Sequence, residues 1–379
     1  MNDYSEKGLL PAGLADMLPP AAAREARINR TLMDVFAGNG YLQVKPPLIE
    51  FDEHLLEGSG AALASKMFRV MDPVSHRMMG IRTDITLQIA RVATTRMKQD
   101  PRPLRLSYSG QVLRVHGSQL RPERQFAQTG VELIGPSETS ADAELILLAA
   151  EALNALEVEN FSIDLTLPTL VPTICRELGI DEKTAVSARE SLDHKDAAAL
   201  DDYDAPLSQI LITLLKAAGP ASTAIEALEK IKLPDAAAAQ VDALKKVVAQ
   251  LRQSAPDLKL TIDPGEYRGF EYQTGLSFTV FGRGVRGELG RGGRYRLMDG
   301  ESASGFTLFL DSLMRAVPRR SADDRLYLPF GTGLDQGYAL RQEGWKTVAG
   351  LAPEDNVEAE AKRLHCGQFL GPDGITKLS

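Results

Sequence analysis

The fold is decided by residues 104–135, LRLSYSGQVLRVHGSQLRPERQFAQTGVELIG, which predict two strands joined by a loop. Alternation in the second strand places Gln128, Gly130 and Glu132 on one face and apolar residues such as Val131 on the other. The apolar face is suited to packing on a core. The polar face is either a solvated surface, which the alternation alone favours, or the floor of a polar pocket.

The first of these two strands favours the pocket. Gly110 and Arg114 share one of its faces. A fixed cation could therefore stand beside the amide and the carboxylate of the second strand.

Composition limits the class of protein. The chain has 379 residues, enough for two or three domains, and its 43 Lys and Arg against 51 Asp and Glu give a net charge of −8. The acidic balance argues against a nucleic-acid partner. No apolar run has the length of a membrane span and the start, MNDYSEKGLLPAG, lacks a signal-peptide core, so we expect a cytoplasmic protein that does not enter membranes.

Metal and redox chemistry are not indicated. Cys175 and Cys366 lie far apart, and neither they nor the five histidines have the spacing of a metal site. We expect two reduced core thiols, no metal ion and no cofactor.

The segment before the central strands predicts a helix, a hairpin and a second helix. The first helix runs from Pro19-Pro20 to about Ala37 with Ile28, Leu32 and Phe36 on one stripe. Residues 66–82 predict a hairpin around Asp72-Pro73, and the second helix begins at 83–86 with Thr83 or Asp84 as its N-cap.

The segment after the central strands returns to helices. Thr139 and Asp142 predict a capping box for a helix that ends near Leu156. Strands are expected at 161–167 and within 261–281, with a helical insertion at about 168–256 and a Gly/Arg-rich loop at 282–296. Helices on a mostly antiparallel sheet make an α+β fold.

Residues 319–324 predict a polar linker, and residues 325–379 a small β-α-β-α unit. We therefore expect two domains, 1–318 and 325–379.

Seven motifs in order resemble the catalytic core of the class II aminoacyl-tRNA synthetases, and histidyl-tRNA synthetase in particular. They cover about residues 8–318 and read GLADMLPP, NGYLQVKPPLIE, IRTDIT, SGQVLRVHGSQLRPERQFAQTGVE, YRGFEYQTG, GRGGRY and GFTLFLDSL. The second includes the proline that helps form the family's dimer. The resemblance implies an antiparallel sheet flanked by helices.

The nucleotide half of the site departs from this family. His116 stands where the second motif has a glutamate that helps hold ATP and magnesium, and Gly117 where another cation is expected. Ser312 replaces an arginine that grips the ATP phosphates, and Phe309 replaces a small residue against which adenosine lies. A charge-assisted bond to phosphate is worth roughly 1.5–3 kcal/mol, so the departures imply that ATP activation is lost.

The amino-acid half of the site agrees better with the family's residues than the nucleotide half does. In the family, position 84 binds the substrate ammonium, here with Asp in place of Glu, and Arg268 meets the carboxylate. Gln273 replaces a tyrosine that helps read the imidazole. The resemblance implies a histidine site built from Asp84, Thr86, Arg114, Gln128, Glu132, Arg268 and Tyr272. Such a site combines a carboxylate, a cation and a polar reader of the side chain in one concave place.

One related family combines these features. The chain resembles the regulatory subunits of ATP phosphoribosyltransferase, which are synthetase-derived and do not aminoacylate. In place of the anticodon-binding domain it ends in the short unit. The resemblance implies a non-catalytic subunit that pairs with the short catalytic subunit in the first step of histidine biosynthesis. It also implies a hetero-octamer built on dimers, and histidine as feedback inhibitor.

Two other functions remain open on the sequence. A divergent histidyl-tRNA synthetase or amino-acid ligase would need a cation in place of the one missing at Ser312, and Arg291, Arg294 and Arg296 are the candidates. Their alternative role is a solvated loop beside the amino-acid pocket. A stand-alone amino-acid sensor with another partner is the third possibility.

Overall fold

The structure, a computed structural model, describes residues 9–56, 63–118, 121–267, 273–318 and 325–378. The chain divides into two units, Met1–Val317 and Pro318–Ser379. The predicted linker at 319–324 lies outside the described residues.

The chain begins with α1 (Ala21–Gly38), which buries the predicted stripe of Ile28, Leu32 and Phe36. This prediction is confirmed. The chain then runs extended, because Pro46 and Pro47 exclude a helix, and forms β1 (Leu42–Gln43) and β2 (Ile49–Phe51) before the short α2 (Asp52–Leu56).

The predicted hairpin is confirmed as β3 (Arg69–Met71) and β4 (Met78–Ile81), which join β2 in a small antiparallel sheet. Helix α3 (Thr86–Thr95) follows, with Ile85 at its N-cap and no side-chain cap bond. The predicted N-cap is wrong by one position, because Ile85 takes it; Asp84 Oδ1 nevertheless accepts from the N–H of Thr86, the first helical residue.

Within the described ranges, the main sheet has nine strands in the order β1-β5-β6-β12-β11-β10-β7-β9-β8, mostly antiparallel. Its centre confirms the predicted strand pair, since β5 (Leu104–Leu113) and β6 (Gln125–Ile134) pair along their whole length. The other strands are β7 (Phe161–Thr166), β8 (Gly219–Pro220), β9 (Leu260–Asp263), β10 (Gln273–Gly282), β11 (Glu288–Arg296) and β12 (Ser302–Phe309).

Helices pack on both sides of the strand pair, so neither face of β6 is solvated. Val131 and Leu133 join the large core beneath α1 and α4 (Thr139–Ala155). On the other face, Gln128 and Glu132 are 0% and 1% exposed. The solvated-surface alternative is therefore wrong, because α3 and the turn before it cover this face.

The helical region after β7 comprises six helices among the described residues. They are α5 (Leu170–Glu177), α6 (Glu182–Asp193), α7 (Ala197–Asp201), α8 (Leu207–Ala217), α9 (Ala221–Leu228) and α10 (Asp235–Ser254). Their apolar faces extend the large core, with Leu211, Leu244 and Leu251 fully buried.

The predicted capping box at α4 is wrong. Glu138, without a side-chain bond, takes the N-cap. Asp142 instead accepts two hydrogen bonds from Arg294, at 3.2 and 2.9 Å. A carboxylate that is 7% exposed needs a charged partner more than the helix end needs a cap.

The Gly/Arg-rich segment was predicted to be a loop, but its residues from Glu288 onward form strand β11. Its glycines serve close packing: a Cβ atom on residue 292 would lie 2.5 Å from the Gly305 carbonyl oxygen. Helix α11 (Leu310–Ala316) then ends the first unit.

The described residues of the second unit form a four-stranded sheet in the order β14-β13-β15-β16. The predicted β-α-β-α order is present as β13 (Arg325–Leu328), α12 (Leu334–Gln342), β14 (Lys346–Ala349) and α13 (Val357–Arg363), and a hairpin of β15 (Gln368–Gly371) and β16 (Gly374–Lys377) extends it. In the described ranges of both units, no helix has the length and apolar character needed to cross a membrane.

Candidate functional site: a polar pocket beside a filled nucleotide half

A polar pocket lies where β6, β12 and β11 run side by side. Glu132 of β6 stands opposite Gly305 of β12. A Cβ atom on residue 305 would lie 1.8 Å from Glu132 Oε2, so only glycine leaves room for the carboxylate. The hydroxyl of Tyr295 donates to Oε2 over 2.8 Å, and that of Tyr108 donates to Oε1 over 3.4 Å. The sheet thus buries a carboxyl group among hydroxyl donors.

Burial dominates the electrostatics of Glu132. The pKa of this carboxyl is raised from 4.5 to about 8, chiefly because the group has lost its hydration. The nearby charge of Asp84 acts in the same direction, and the hydroxyl hydrogen bonds act against it. At neutral pH Glu132 is mostly protonated, so it can donate a hydrogen bond as well as accept one.

Asp84 is fixed beside this pocket by Gln128. Gln128 Nε2 donates to Asp84 Oδ2 over 2.9 Å, and Gln128 Oε1 accepts from the backbone N–H of Ile85 over 3.1 Å. Asp84 Oδ1 accepts from the backbone N–H of Thr86 over 2.9 Å. The clamp presents a half-buried carboxylate at the pocket edge, a suitable partner for an ammonium group.

Arg114 lies just beyond β5, on the Asp84 side of the site. Its guanidinium is 3.4 Å from the Thr83 carbonyl oxygen and 4.9 Å from the centre of the Phe126 ring. Burial lowers its pKa, and Asp84 opposes that change. Among the described residues, those lining the Glu132 cavity do not include Arg114. A Cβ atom on Gly110 would meet Arg82 rather than Arg114.

Asp84, Thr86, Gln128 and Glu132 therefore lie together, with Arg114 nearby, whereas Arg268 and Tyr272 lie outside the described residues. The cavity lined by Asp84, Thr86, Glu132, Gln273 and Arg291 measures about 20 Å³, which is room for about one water molecule. An amino acid can enter only if this pocket widens. No cluster of three His, Cys, Asp or Glu side chains suited to a metal lies within the described ranges.

The neighbouring region, where the resemblance places the nucleotide, is filled by side chains. Phe309 is fully buried and meets Phe126 edge-to-face, with ring centres 6.1 Å apart. The guanidinium of Arg121 covers both rings, 3.9 Å from the centre of Phe309 and 4.8 Å from that of Phe126. Arg121 Nε also donates to Asp311 Oδ2 over 3.0 Å. A base could not lie here without displacing this stack.

The structure also shows which arginines lie near Ser312. Arg121 and Arg315 reach Ser312 Oγ at 3.3 and 3.1 Å. Of the candidates from sequence, Arg294 pairs with Asp142 and Arg296 donates to the Gly300 carbonyl oxygen. Arg291 lies 5.6 Å from the Phe309 ring centre.

Sequence reasoning missed Tyr108, Thr307 and Arg121 as members of the site. Tyr108 is linked to Thr307 over 2.7 Å and to Thr86 over 3.3 Å. Tyr108 shares the face of Gly110 in β5, so alternation could have found it. The direction of Arg121, in the long loop between β5 and β6, had no such signal.

Fold and site together define a protein of the class II synthetase type, with a polar pocket beside a region that side chains fill. A family model described as histidyl-tRNA synthetase matches residues 13–313. A solved histidyl-tRNA synthetase from Nostoc sp. PCC 7120 superposes with a TM-score of 0.81 at 18% identity, covering 97% of this chain and 92% of that one. This likeness establishes the fold.

The nearer relatives separate this chain from the synthetases. An ATP phosphoribosyltransferase regulatory subunit from Rhodospirillum centenum is 56% identical over 371 residues, which cover 98% of this chain and 96% of the relative. One from Paramagnetospirillum magneticum is 52% identical over 378 residues, with both chains covered completely. The chain belongs to the family of ATP phosphoribosyltransferase regulatory subunits, within the histidyl-tRNA synthetase-like proteins.

Proposed function

We propose that this chain is the non-catalytic regulatory subunit of an ATP phosphoribosyltransferase. It is needed for activity of the short catalytic subunit and for histidine feedback control in the first step of L-histidine biosynthesis. One observation carries the absence of catalysis: Arg121, Phe309 and Phe126 occupy the nucleotide half, while the polar residues of the amino-acid half stay in place.

The filled half disfavours ATP for two reasons. Displacing Arg121 would break a buried ion pair with Asp311, whose side chains are 11% and 12% exposed, and a stack on two aromatic rings. Leaving one member of a buried pair without its partner typically costs about 3–5 kcal/mol. In addition, the phosphate-gripping arginine is absent, because position 312 is a buried serine.

The amino-acid half supports histidine as the effector. Asp84 meets the ammonium group, Glu132 meets the imidazole, and Thr86, Gln128 and Arg114 complete the site. Arg268 and Tyr272 belong to the same proposed set. Histidine regulates if it binds one state of the complex more tightly than another, and no reaction in this chain is required.

The small cavity fits such a role. Histidine binds only after the 20 Å³ cavity widens, so ligand and conformation are coupled. Arg291, which lines the cavity, is 3.6 Å from Glu288, and a partly exposed pair of this kind holds a side chain weakly.

We further propose that two copies associate through the face around the small sheet, within a hetero-octamer. Large apolar side chains are exposed there, including Val70 at 44%, Met71 at 58% and Val74 at 87%. Exposed apolar groups at this density are typical of association surfaces. We place the domains at 1–318, with the insertion at 168–256, and 325–379. We also infer a cytoplasmic location without nucleic-acid binding.

Reconstitution tests the proposal. The purified chain is added to the short catalytic subunit from the same organism, and phosphoribosyl-ATP formation is followed with and without histidine. We expect activation by the chain, and stronger histidine inhibition of the mixture than of the catalytic subunit alone.

The matched variants are Asp84→Asn in the pocket and Asp335→Asn on the second unit. Asp84→Asn should still activate but should raise the histidine concentration for half-inhibition at least tenfold, whereas Asp335→Asn should behave as the unaltered chain. No change of rate on mixing would contradict the regulatory role. Activation with unaltered inhibition in Asp84→Asn would contradict the pocket assignment.

A further inference from the structure

The second unit carries exposed apolar side chains at one edge of its sheet. Strands β13 and β14 are parallel and end together, since Leu328 pairs with Ala349, so the turns that follow them lie at the same edge. The N–H of Gly350 donates to the Leu328 carbonyl oxygen over 2.8 Å. A Cβ atom on residue 350 would lie 2.8 Å from the backbone nitrogen of Phe330. The two turns are therefore in close contact and form one surface.

Four large side chains are exposed on this surface, which we call the apolar edge: Phe330, Leu334, Tyr338 and Leu351. Phe330 and Leu351 lie in the two turns, and Leu351 is 93% exposed. Leu334 and Tyr338 lie four residues apart on α12 and so share one face of it, and Leu334 is 87% exposed. Exposed leucine and aromatic side chains grouped in this way are typical of the centre of a protein interface.

Acidic side chains border the apolar edge. Asp335 lies at the start of α12, and Glu354 and Asp355 lie in the turn after β14. Glu354 is fixed there, because the backbone N–H of Phe330 donates to its two carboxylate oxygens over 3.2 and 3.4 Å. A single exposed charge contributes little to affinity, but a group of like charges selects the charge of the partner.

This charge pattern distinguishes between possible partners. A second copy of the chain would meet the apolar edge with its own apolar edge, because two-fold contacts are self-complementary, and the two acidic borders would repel each other. Arg341, the basic side chain of α12, is directed toward β14, where it donates to Thr347 Oγ1 over 3.0 Å. A partner with lysine or arginine side chains around an apolar centre would complement both features.

We propose that the second unit docks the catalytic subunit of ATP phosphoribosyltransferase through the apolar edge, against an apolar surface of that subunit bordered by lysine or arginine. This inference rests on the proposed function, in which the chain activates that subunit. The apolar side chains supply affinity, and the carboxylates favour the correct orientation and a fast encounter. The second unit thus serves assembly, while the polar pocket of the first unit serves the effector.

The test measures binding of the purified full chain to the purified catalytic subunit from the same organism by surface plasmon resonance. Phosphoribosyl-ATP formation is the second readout. The main variant combines Leu334→Gln and Leu351→Gln, which keep side-chain length at positions that are almost fully exposed. Asp355→Lys tests the acidic border. Ile375→Gln is the control, because Ile375 is an exposed apolar residue of β16, the strand at the other side of the same sheet from β14.

We expect the double variant to raise the dissociation constant at least about tenfold, and the chain concentration for half-maximal activation equally, with an unaltered melting temperature. Asp355→Lys should slow association at low salt, and Ile375→Gln should behave as the unaltered chain. An unaltered dissociation constant in the double variant would overturn the inference. If that variant also lost self-association or stability, a second copy or the rest of the chain would be the occupant of the apolar edge.

The unaltered chain separates this inference from the proposed function. If it binds and activates the catalytic subunit, and the double variant does so equally well, the docking surface alone is wrong. If it binds without activating, the regulatory role fails, while the dissociation constant of the double variant still decides the docking surface. If it neither binds nor activates, both the role and the docking surface are wrong.

Discussion

If histidine binds beside Glu132 as proposed, its affinity for the chain depends on pH, with a maximum near neutrality. Glu132 must be protonated to donate to a neutral imidazole, and its pKa is about 8. Free histidine must carry a neutral ring, and the imidazole pKa is about 6.5. The complex holds one proton between the two groups, so affinity falls when the free pair has two protons or none.

The size of the effect follows from these two values. At pH 7 about nine-tenths of Glu132 is protonated and about three-quarters of free imidazole is neutral. At pH 9 only about one-tenth of Glu132 is protonated, and at pH 5.5 only about one-tenth of imidazole is neutral. We therefore expect affinity to fall about eightfold from pH 7 to pH 9, and about eightfold from pH 7 to pH 5.5.

Calorimetry at constant ionic strength, in steps from pH 5.5 to 9, measures this profile. Glu132→Gln is the control, because glutamine does not titrate. Its affinity should be lower throughout, its acid limb should remain, and its alkaline limb should be reduced to the part that comes from the ligand's own amino group. If the unaltered chain and Glu132→Gln had the same dependence above pH 7, the buried acid would not take part in binding.

Two further predictions concern stability and catalysis. Arg294→Met should lower the free energy of unfolding by about 3–5 kcal/mol, because it leaves the Asp142 carboxylate buried without its cation. Denaturant unfolding should show that Asp142→Asn in the same chain recovers part of the loss, and an unaltered midpoint in Arg294→Met would contradict the role of the pair. The chain should also give no histidine-dependent ATP–pyrophosphate exchange, because Arg121 and Phe309 fill the nucleotide half; measurable exchange would favour the synthetase alternative.

Local sequence patterns predicted the helices and strands in which buried residues recur at one regular spacing. The apolar stripe of α1 could be predicted because Ile28, Leu32 and Phe36 recur at helical spacing. The hairpin at residues 66–82 was readable from its turn residues. Where a residue could take either of two roles, the sequence pattern did not show which role it takes. Thr139 and Asp142 have the spacing of a capping box, yet Asp142 pairs with Arg294, 152 residues further along the chain.

The segment 282–296 shows the same limit. Glycine and arginine are typical of loops, but in β11 the glycines permit close contact with β12 and Arg294 reaches the buried Asp142. A high glycine content indicates that the backbone can adopt many conformations. It does not indicate whether a neighbouring strand packs closely against those glycines.

The sequence by itself determined the order of motifs, the α+β class, the resemblance to the synthetases and the departures at Phe309 and Ser312. These properties are carried by residue identity and spacing. Only the tertiary structure decided that Gln128 and Glu132 are buried, that Gln273 lines the same cavity as Glu132, and that Arg121 covers Phe309. Each of these depends on which distant segment packs over a residue and on where a long side chain points, and no local pattern contains that information.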